Sequence, residues 1–394
     1  PPPSMGSSFG SRSGGVGVTL IPARQDIAES MEDFFSVGSY NNFSDGLGAW
    51  SLNIHHVYDI PGKTLYLGNG GKRNAESSIN GVITTVTQAS FPAYGIATGA
   101  DGSIYVSDGS RIRRISSDGI ITTIAGSLGA GYSGDGGPAI QAKLDYPQGI
   151  AVGTDGSIYI ADFRNFRIRR ITSDGIISTV AGGGVSFPGC KAEEIPATQA
   201  CITNPEGVAV STDGSIYIAA YDRIRRVRSD GIIGTVAGGG SNYDGEGIPA
   251  TQARICYLKG VALGKDGSVY FAENDFYSYS RIRRISPDGI IRTVAGGGSS
   301  YAEGIPATQA RIIAESRVAI GTDGSIYIAS WDRVRLVSPD GIIRTIAGGG
   351  SSYAYAGGIP ATQARFFGVD GVAIGPDGNV YIAQKDNWNI PGVM

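Results

Sequence analysis

The chain of 394 residues is poor in the side chains that do most enzyme chemistry, with two His, three Cys, three Met and three Trp. Its only histidines are neighbours, His55 and His56. Adjacent strand residues point to opposite faces, so this pair does not readily share one metal. No further Cys or His stands beside Cys190, Cys201 or Cys256, which argues against structural zinc. A G-x-S-x-G nucleophile in a strand–turn–helix setting is missing too. Apolar runs never approach the ~18 residues of a membrane span. Nor is there an excess of positive charge: 32 Lys and Arg face 35 Asp and Glu, for a net charge of −3. A nucleic-acid partner is therefore not expected.

Glycine, by contrast, is abundant, with 62 residues, about twice the ordinary share. The collagen period is absent, and an apolar fraction of 41 % is too high for disorder. Many tight turns between short strands would use that glycine. A core of the form D-G-S-I-Y recurs from Asp101, Asp155, Asp213, Asp266, Asp323 and Asp377, at intervals of 54, 58, 53, 57 and 54 residues. "PGKTLYLGNGGKR", Pro61 to Arg73, is a degenerate earlier copy.

Each unit carries four short strand signals. In one copy these are "GIAVG" (Gly149–Gly153), "SIYIAD" (Ser157–Asp162), "RIRRI" (Arg167–Ile171) and "IISTVAG" (Ile176–Gly182). Asp-Gly steps join the first to the second and the third to the fourth, as hairpin turns require. Four antiparallel strands per unit, at periods above fifty residues, predict an all-β propeller. Stacked units bury the faces that no single sheet can bury alone.

Complete units read at about 50–88, 94–126, 148–182, 206–238, 259–296 and 316–348, with a half-unit at 371–384. The expectation is six blades, with the half-unit either helping to close the ring or leading into a following domain, and seven blades as the alternative. Residues 1–45 form an extended N-terminal segment ahead of a propeller at 46–394. Its apolar patch, Gly15–Ala23, reads as a strand packed on this propeller or added to a neighbouring sheet. The opening "PPPSMG" lacks an initiator methionine and reads as a trimmed or processed end.

A second repeat joins the units: "YSGDGGPAIQAKL" from Tyr132, "YDGEGIPATQARI" from Tyr243, "YAEGIPATQARI" from Tyr301 and "YAGGIPATQARF" from Tyr355. "PATQA" suits one helical turn begun by proline. All these loops follow a fourth strand and should decorate one face. Tyr132, Tyr243, Tyr301, Tyr353 and Tyr355 are the expected partner-facing anchors, since aromatics on rigid loops bind well. Asp135, Asp244 and Glu246 lie in the same loops and leave room for one weak calcium site. No other cofactor or metal is expected. In another copy of the loop Cys190 and Cys201 bracket "CKAEEIPATQAC", which fits either a loop-closing disulfide in an oxidising compartment or two buried thiols.

Acidic residues end the second strands and arginines open the third. Asp108 with Arg111, Asp162 with Arg167, Asp222 with Arg223, Glu273 with Arg281 and Asp332 with Arg333 are read as a structural ladder. Catalysis would use one odd blade, not the average blade. Strand alternation divides the "RIRR" arginines between faces, so they do not pool into an RNA-binding surface. Asn42-Phe43-Ser44 matches a glycosylation acceptor, a pattern frequent by chance.

The unit "GVAVSTDGSIYIAAYDRIRRVRSDGIIGTVAG" resembles the NHL repeat. "GLGAWSLNIHHVYDIPGKTLYLGNGGKR" (Gly46–Arg73) resembles the lead-in to the NHL propeller of teneurin-like and Rhs-type YD-repeat proteins. "IPARQDI" and "VGSYNNFSDGLGAW" fit the same context. The resemblance implies a non-enzymatic scaffold or recognition module of a secreted or cell-surface protein, with protein or glycan partners at the loop face. In that family a YD-repeat shell accompanies the propeller, and none is seen in this sequence. Two other readings stand beside it. One is a self-assembling surface subunit docking through residues 1–45. The other is a metal-dependent propeller lactonase or hydrolase.

Overall fold

Each D-G-S core closes its turn with its own side chains. Asp155 accepts from the Ser157 backbone N–H at 3.0 Å and from its hydroxyl at 2.9 Å. Gly156 takes φ +76°, open to glycine without a Cβ clash. The hairpins so made assemble into sheets whose strands run in chain order. The computed structural model describes residues 55–60, 82–89, 93–126, 129–184, 192–242, 245–274, 279–313, 317–353, 359–366 and 368–384. All lie in one compact unit, Ser51–Met394.

Five antiparallel blades are each folded from one contiguous stretch. Blade 1 comprises Ile96–Thr98, Ile104–Asp108, Arg111–Ile115 and Ile121–Ala125. Blade 2 comprises Pro147–Val152, Ile158–Asp162, Arg167–Ile171 and Ile177–Gly182. Blade 3 has Pro205–Val210, Ile216–Ala220, Arg223–Val227 and Ile232–Gly238. Blade 4 has Leu258–Leu263, Val269–Asn274, Tyr279–Ile285 and Ile290–Gly296. Blade 5 has Arg317–Ile320, Ile326–Ser330, Arg333–Val337 and Ile342–Gly348.

The expected count of six or seven blades is corrected here. The unit read at 50–88 is not a blade of its own. It supplies His55–Ile60 and Val82–Ala89, which add to Val369–Ile374 and Val380–Gln384 to make one composite sheet. The half-unit would otherwise end in an unpaired edge, and the N-terminal strands satisfy it. The copy at 61–73 lies outside the described residues, as does the segment 1–45.

First strands pack side by side from blade 1 through blade 5 to the composite sheet and back to blade 1. They therefore surround the axis. Their approach is close: a Cβ on Gly149 would lie 2.9 Å from the Gly207 Cα, and one on Gly207 would lie 2.9 Å from the Gly260 Cα. The core lies between blades. Ala161 and Ile168 of blade 2, for example, share a layer with Val208 and Ile218 of blade 3. Such layers continue round the ring, including both sides of the composite sheet.

The "PATQ" stretches are single 3-10 turns led by proline, as at Ala250–Gln252, and no α-helix occurs among the described residues. Before each turn, Ile-Pro adds a short strand to the outer edge of the following blade, as Ile195 and Pro196 do on Ile233 and Ile232.

Candidate functional site

Third-strand arginines have three distinct destinations. The first meets an acidic residue at the end of the second strand, Arg111 to Asp108 at 2.9 Å and Arg281 to Glu273, or in the turn just after it, Arg223 to Asp222 at 3.6 Å and Arg333 to Asp332 at 2.8 Å. Arg167 departs from this pattern. It donates to the Asn165 carbonyl at 2.7 Å and covers the Tyr132 ring, while Asp162 pairs with Arg169. The last arginine returns to the D-G-S turn, as Arg170 does to Asp155 at 2.7 Å.

In blades 2 to 5 the middle arginine is buried and meets a loop from the preceding unit, whereas Arg113 of blade 1 pairs with Asp108 at 3.0 Å. Arg169 reaches Asp135 at 2.6 Å, Arg283 reaches Glu246 at 3.3 Å, and Arg335 reaches Glu303 at 3.5 Å. In each case the loop carboxylate also accepts from a fourth-strand threonine: Thr179, Thr293 or Thr345. A buried guanidinium is costly unless paired, so these contacts hold each loop to the next blade's rim.

Asp135 therefore spends its oxygens on Arg169, Tyr132 and Thr179. Burial works to raise its carboxyl, but the Thr179 and Tyr132 hydrogen bonds and the Arg169 charge bring it below the usual range. Burial pushes Asp162 up to about 6 against its hydrogen bonds from Asn165 and Asp145. Among the described residues, no three His, Cys, Asp or Glu side chains are grouped to hold a metal. Asp244, Tyr243, Tyr355 and Cys190 lie outside the described residues, and Tyr353 is described in its backbone alone. Tyr301 is exposed beneath the Arg311 guanidinium at 5.3 Å. Cys201 is disulfide-bonded, whereas Cys256 is a reduced thiol that donates to the Asn274 carbonyl at 3.4 Å.

The axis carries a cluster that repeat-averaged reading missed. The residue just before the ring glycine differs between copies: Tyr94, Gln148, Glu206, Lys259 and Asp370. In blade 5 the glycine itself is replaced by Arg317. Arg317 Nη2 donates to Gln148 Oε1 at 2.6 Å, and its Nη1 donates to the Glu206 carbonyl at 3.1 Å. Glu206 also binds Lys259 at 3.1 Å. Glu206 thus stands between the cations of Lys259 and Arg317, which lies 3.8 Å from its carboxylate.

The same face carries the turns between second and third strands, because Pro147, which opens a first strand, pairs with Asp162 at the end of the second. At these tips Phe166, Tyr221 and Trp331 are exposed, with φ of +55°, +31° and +43°. Blade 1 has Gly109 where blades 3 and 5 have Tyr221 and Trp331, and its φ is +56°. Glycine holds this conformation freely, whereas an aromatic residue there is strained. Comparing copies residue by residue, rather than averaging them, exposes both the axial cluster and these tips.

The family model described as Teneurin NHL domain matches residues 129–186 and 189–244. Teneurin-m of Drosophila melanogaster is 26 % identical over 407 residues, covering 88 % of this chain and 14 % of its own length. Teneurin-3 of Danio rerio is 27 % identical over 420 residues, covering 90 % of this chain and 15 % of its own. The chain thus spans a small part of the curated relatives it matches. Among solved structures, a Bacteroides thetaiotaomicron protein of unknown function superposes with a TM-score of 0.52 at 16 % identity, covering 85 % of this chain and 76 % of its own. That likeness speaks to the fold alone. The chain carries an NHL-repeat β-propeller of four-stranded antiparallel blades. Its propeller resembles that of the teneurins.

Proposed function

We propose that this propeller is a non-enzymatic recognition module of a cell-surface or secreted protein of teneurin type. It binds protein or glycan partners through the face that bears the axial cluster and the turn tips. The observation that carries the reading is the presentation of Phe166, Tyr221 and Trp331 to solvent on one face, in strained backbone and on rigid hairpins. Large aromatics so placed are the residues that dominate binding energy. Around the axis, Glu206, Lys259, Arg317 and Gln148 engage one another, an arrangement that favours a closed support over a reacting site. No helix among the described residues is long and apolar enough to cross a membrane.

The purified chain, fluorescently labelled, is incubated with intact cells and counted by flow cytometry. Saturable binding that unlabelled chain displaces is the expected result. Absence of such binding, together with divalent-metal-dependent lactone hydrolysis, would replace this reading by the hydrolase one.

A further inference from the structure

The tip of blade 5 gathers more than an exposed ring. Trp331 is 56 % exposed, and Tyr301 of the neighbouring loop is 59 % exposed. Directly after Trp331 in sequence stands the Asp332–Arg333 pair. Arg333 Nε lies 2.8 Å from one carboxylate oxygen and Nη2 lies 3.0 Å from the other, a bidentate contact. The loop that bears Tyr301 is held to the same strand, where Arg335 Nη2 donates to the Ala302 carbonyl at 3.4 Å. The tip is fixed from beneath: Val369 N–H donates to the Trp331 carbonyl at 2.7 Å, and Gly349 N–H donates to the Asp332 carbonyl at 3.0 Å.

We propose that this tip is a binding subsite for a neutral glycan, with a sugar ring stacked on Trp331 and its hydroxyls bridging Asp332 and Arg333. The inference rests on the recognition reading above and names the class of ligand. Its chemistry follows from the pair. A guanidinium locked to a carboxylate offers donors and acceptors side by side with no net charge. Vicinal hydroxyls, each both donor and acceptor, match that edge and replace its water bond for bond. A charged partner finds its counter-charge already taken. A dry protein interface would strip solvent from the ion pair, at 30 % and 32 % exposure, without replacing it. The aromatic face supplies the apolar surface that a sugar's C–H face needs.

The strain at Trp331 permits a test that misfolding cannot mimic. Glycine accepts φ +43° freely, so Trp331→Gly should fold with an unchanged or higher Tm. Wild-type chain and variant are applied to an array of neutral oligosaccharides, and any hit is titrated by calorimetry. We expect a hit for the wild type and a loss of about tenfold or more in the variant. No hit on the array, or a hit that Trp331→Gly retains, overturns the glycan proposal. Cell binding of both proteins is measured alongside. Cell binding that falls in the variant without any glycan hit leaves the recognition face standing with a protein partner. Cell binding equal in both, again without a hit, removes this tip from that face as well.

Discussion

Arg317 of blade 5 donates to the amide oxygen of Gln148 in blade 2, at 2.6 Å, although the two blades are not neighbours in the ring. The contact exists because blade 5 alone carries a side chain where the other copies have the ring glycine. Room is made for it: a Cβ on Gly260 would lie 3.6 Å from the Arg317 Cα, against 2.9 Å for the Gly207–Gly260 approach. Arg317→Gly, which restores the repeat, should lower stability by about 2 kcal/mol, because charged hydrogen bonds to Gln148 and Glu206 are lost. Urea unfolding checks this. A variant as stable as the parent would mean the cluster does not clamp the ring.

The rim should respond to loss of a loop carboxylate. Glu303→Ala leaves the buried Arg335 guanidinium without its carboxylate and Thr345 without its acceptor. A cost of about 2–3 kcal/mol is expected, below that of a fully buried pair because Glu303 is partly exposed. Thr345→Ala should cost much less, and the difference between their Tm values reads the ionic part.

How much of this was readable in advance varies by element. The hairpins were, because each turn is written locally in residues such as Asp155, Gly156 and Ser157. Closure of the ring was readable only as a role for the half-unit at 371–384, not in its partner. It depends on pairing His55–Ile60 with Val380–Gln384, which no local pattern encodes. The buried arginines were half readable. Alternation separates Arg169 from Arg170, but the partner of Arg169 is Asp135, 34 residues earlier in another unit. One signal was in the chain all along. The last loop, 350–366, has no acidic residue, and the strand "HHVYDI" in the composite sheet has no arginine to need one. Trp331 was passed over because aligning units by their shared core hides the position at which they differ.

The buried carboxyl of Asp162 sets a pH dependence. Its folded value of about 6 exceeds the ordinary 3.8, so the native state holds this proton more tightly than the unfolded chain. Its contribution is fully present below about pH 4 and is lost as pH rises through about 6. The full swing is of order 3 kcal/mol. Asp162→Asn should flatten the stability profile over this window. Parallel profiles for the two proteins would show that Asp162 ionises normally.

Cys201 is disulfide-bonded and Cys256 is a reduced thiol. We propose Cys190 as the partner of Cys201. Alkylation under denaturing, non-reducing conditions should then label one thiol per chain, at Cys256, and peptide mapping should recover Cys190 linked to Cys201. Reduction should cost about 2–3 kcal/mol, as for a loop of this length. Three labelled thiols without reductant would contradict the pairing.

The central claim is that the strained aromatic tips exist for recognition. Its most direct test is the affinity of the Tyr221→Gly, Trp331→Gly double variant for intact cells, compared with the parent chain, with Tm recorded for both. The account predicts binding weakened by about tenfold or more while Tm holds or rises. Equal binding would contradict it, and the aromatic tips would then have no part in what this propeller reads.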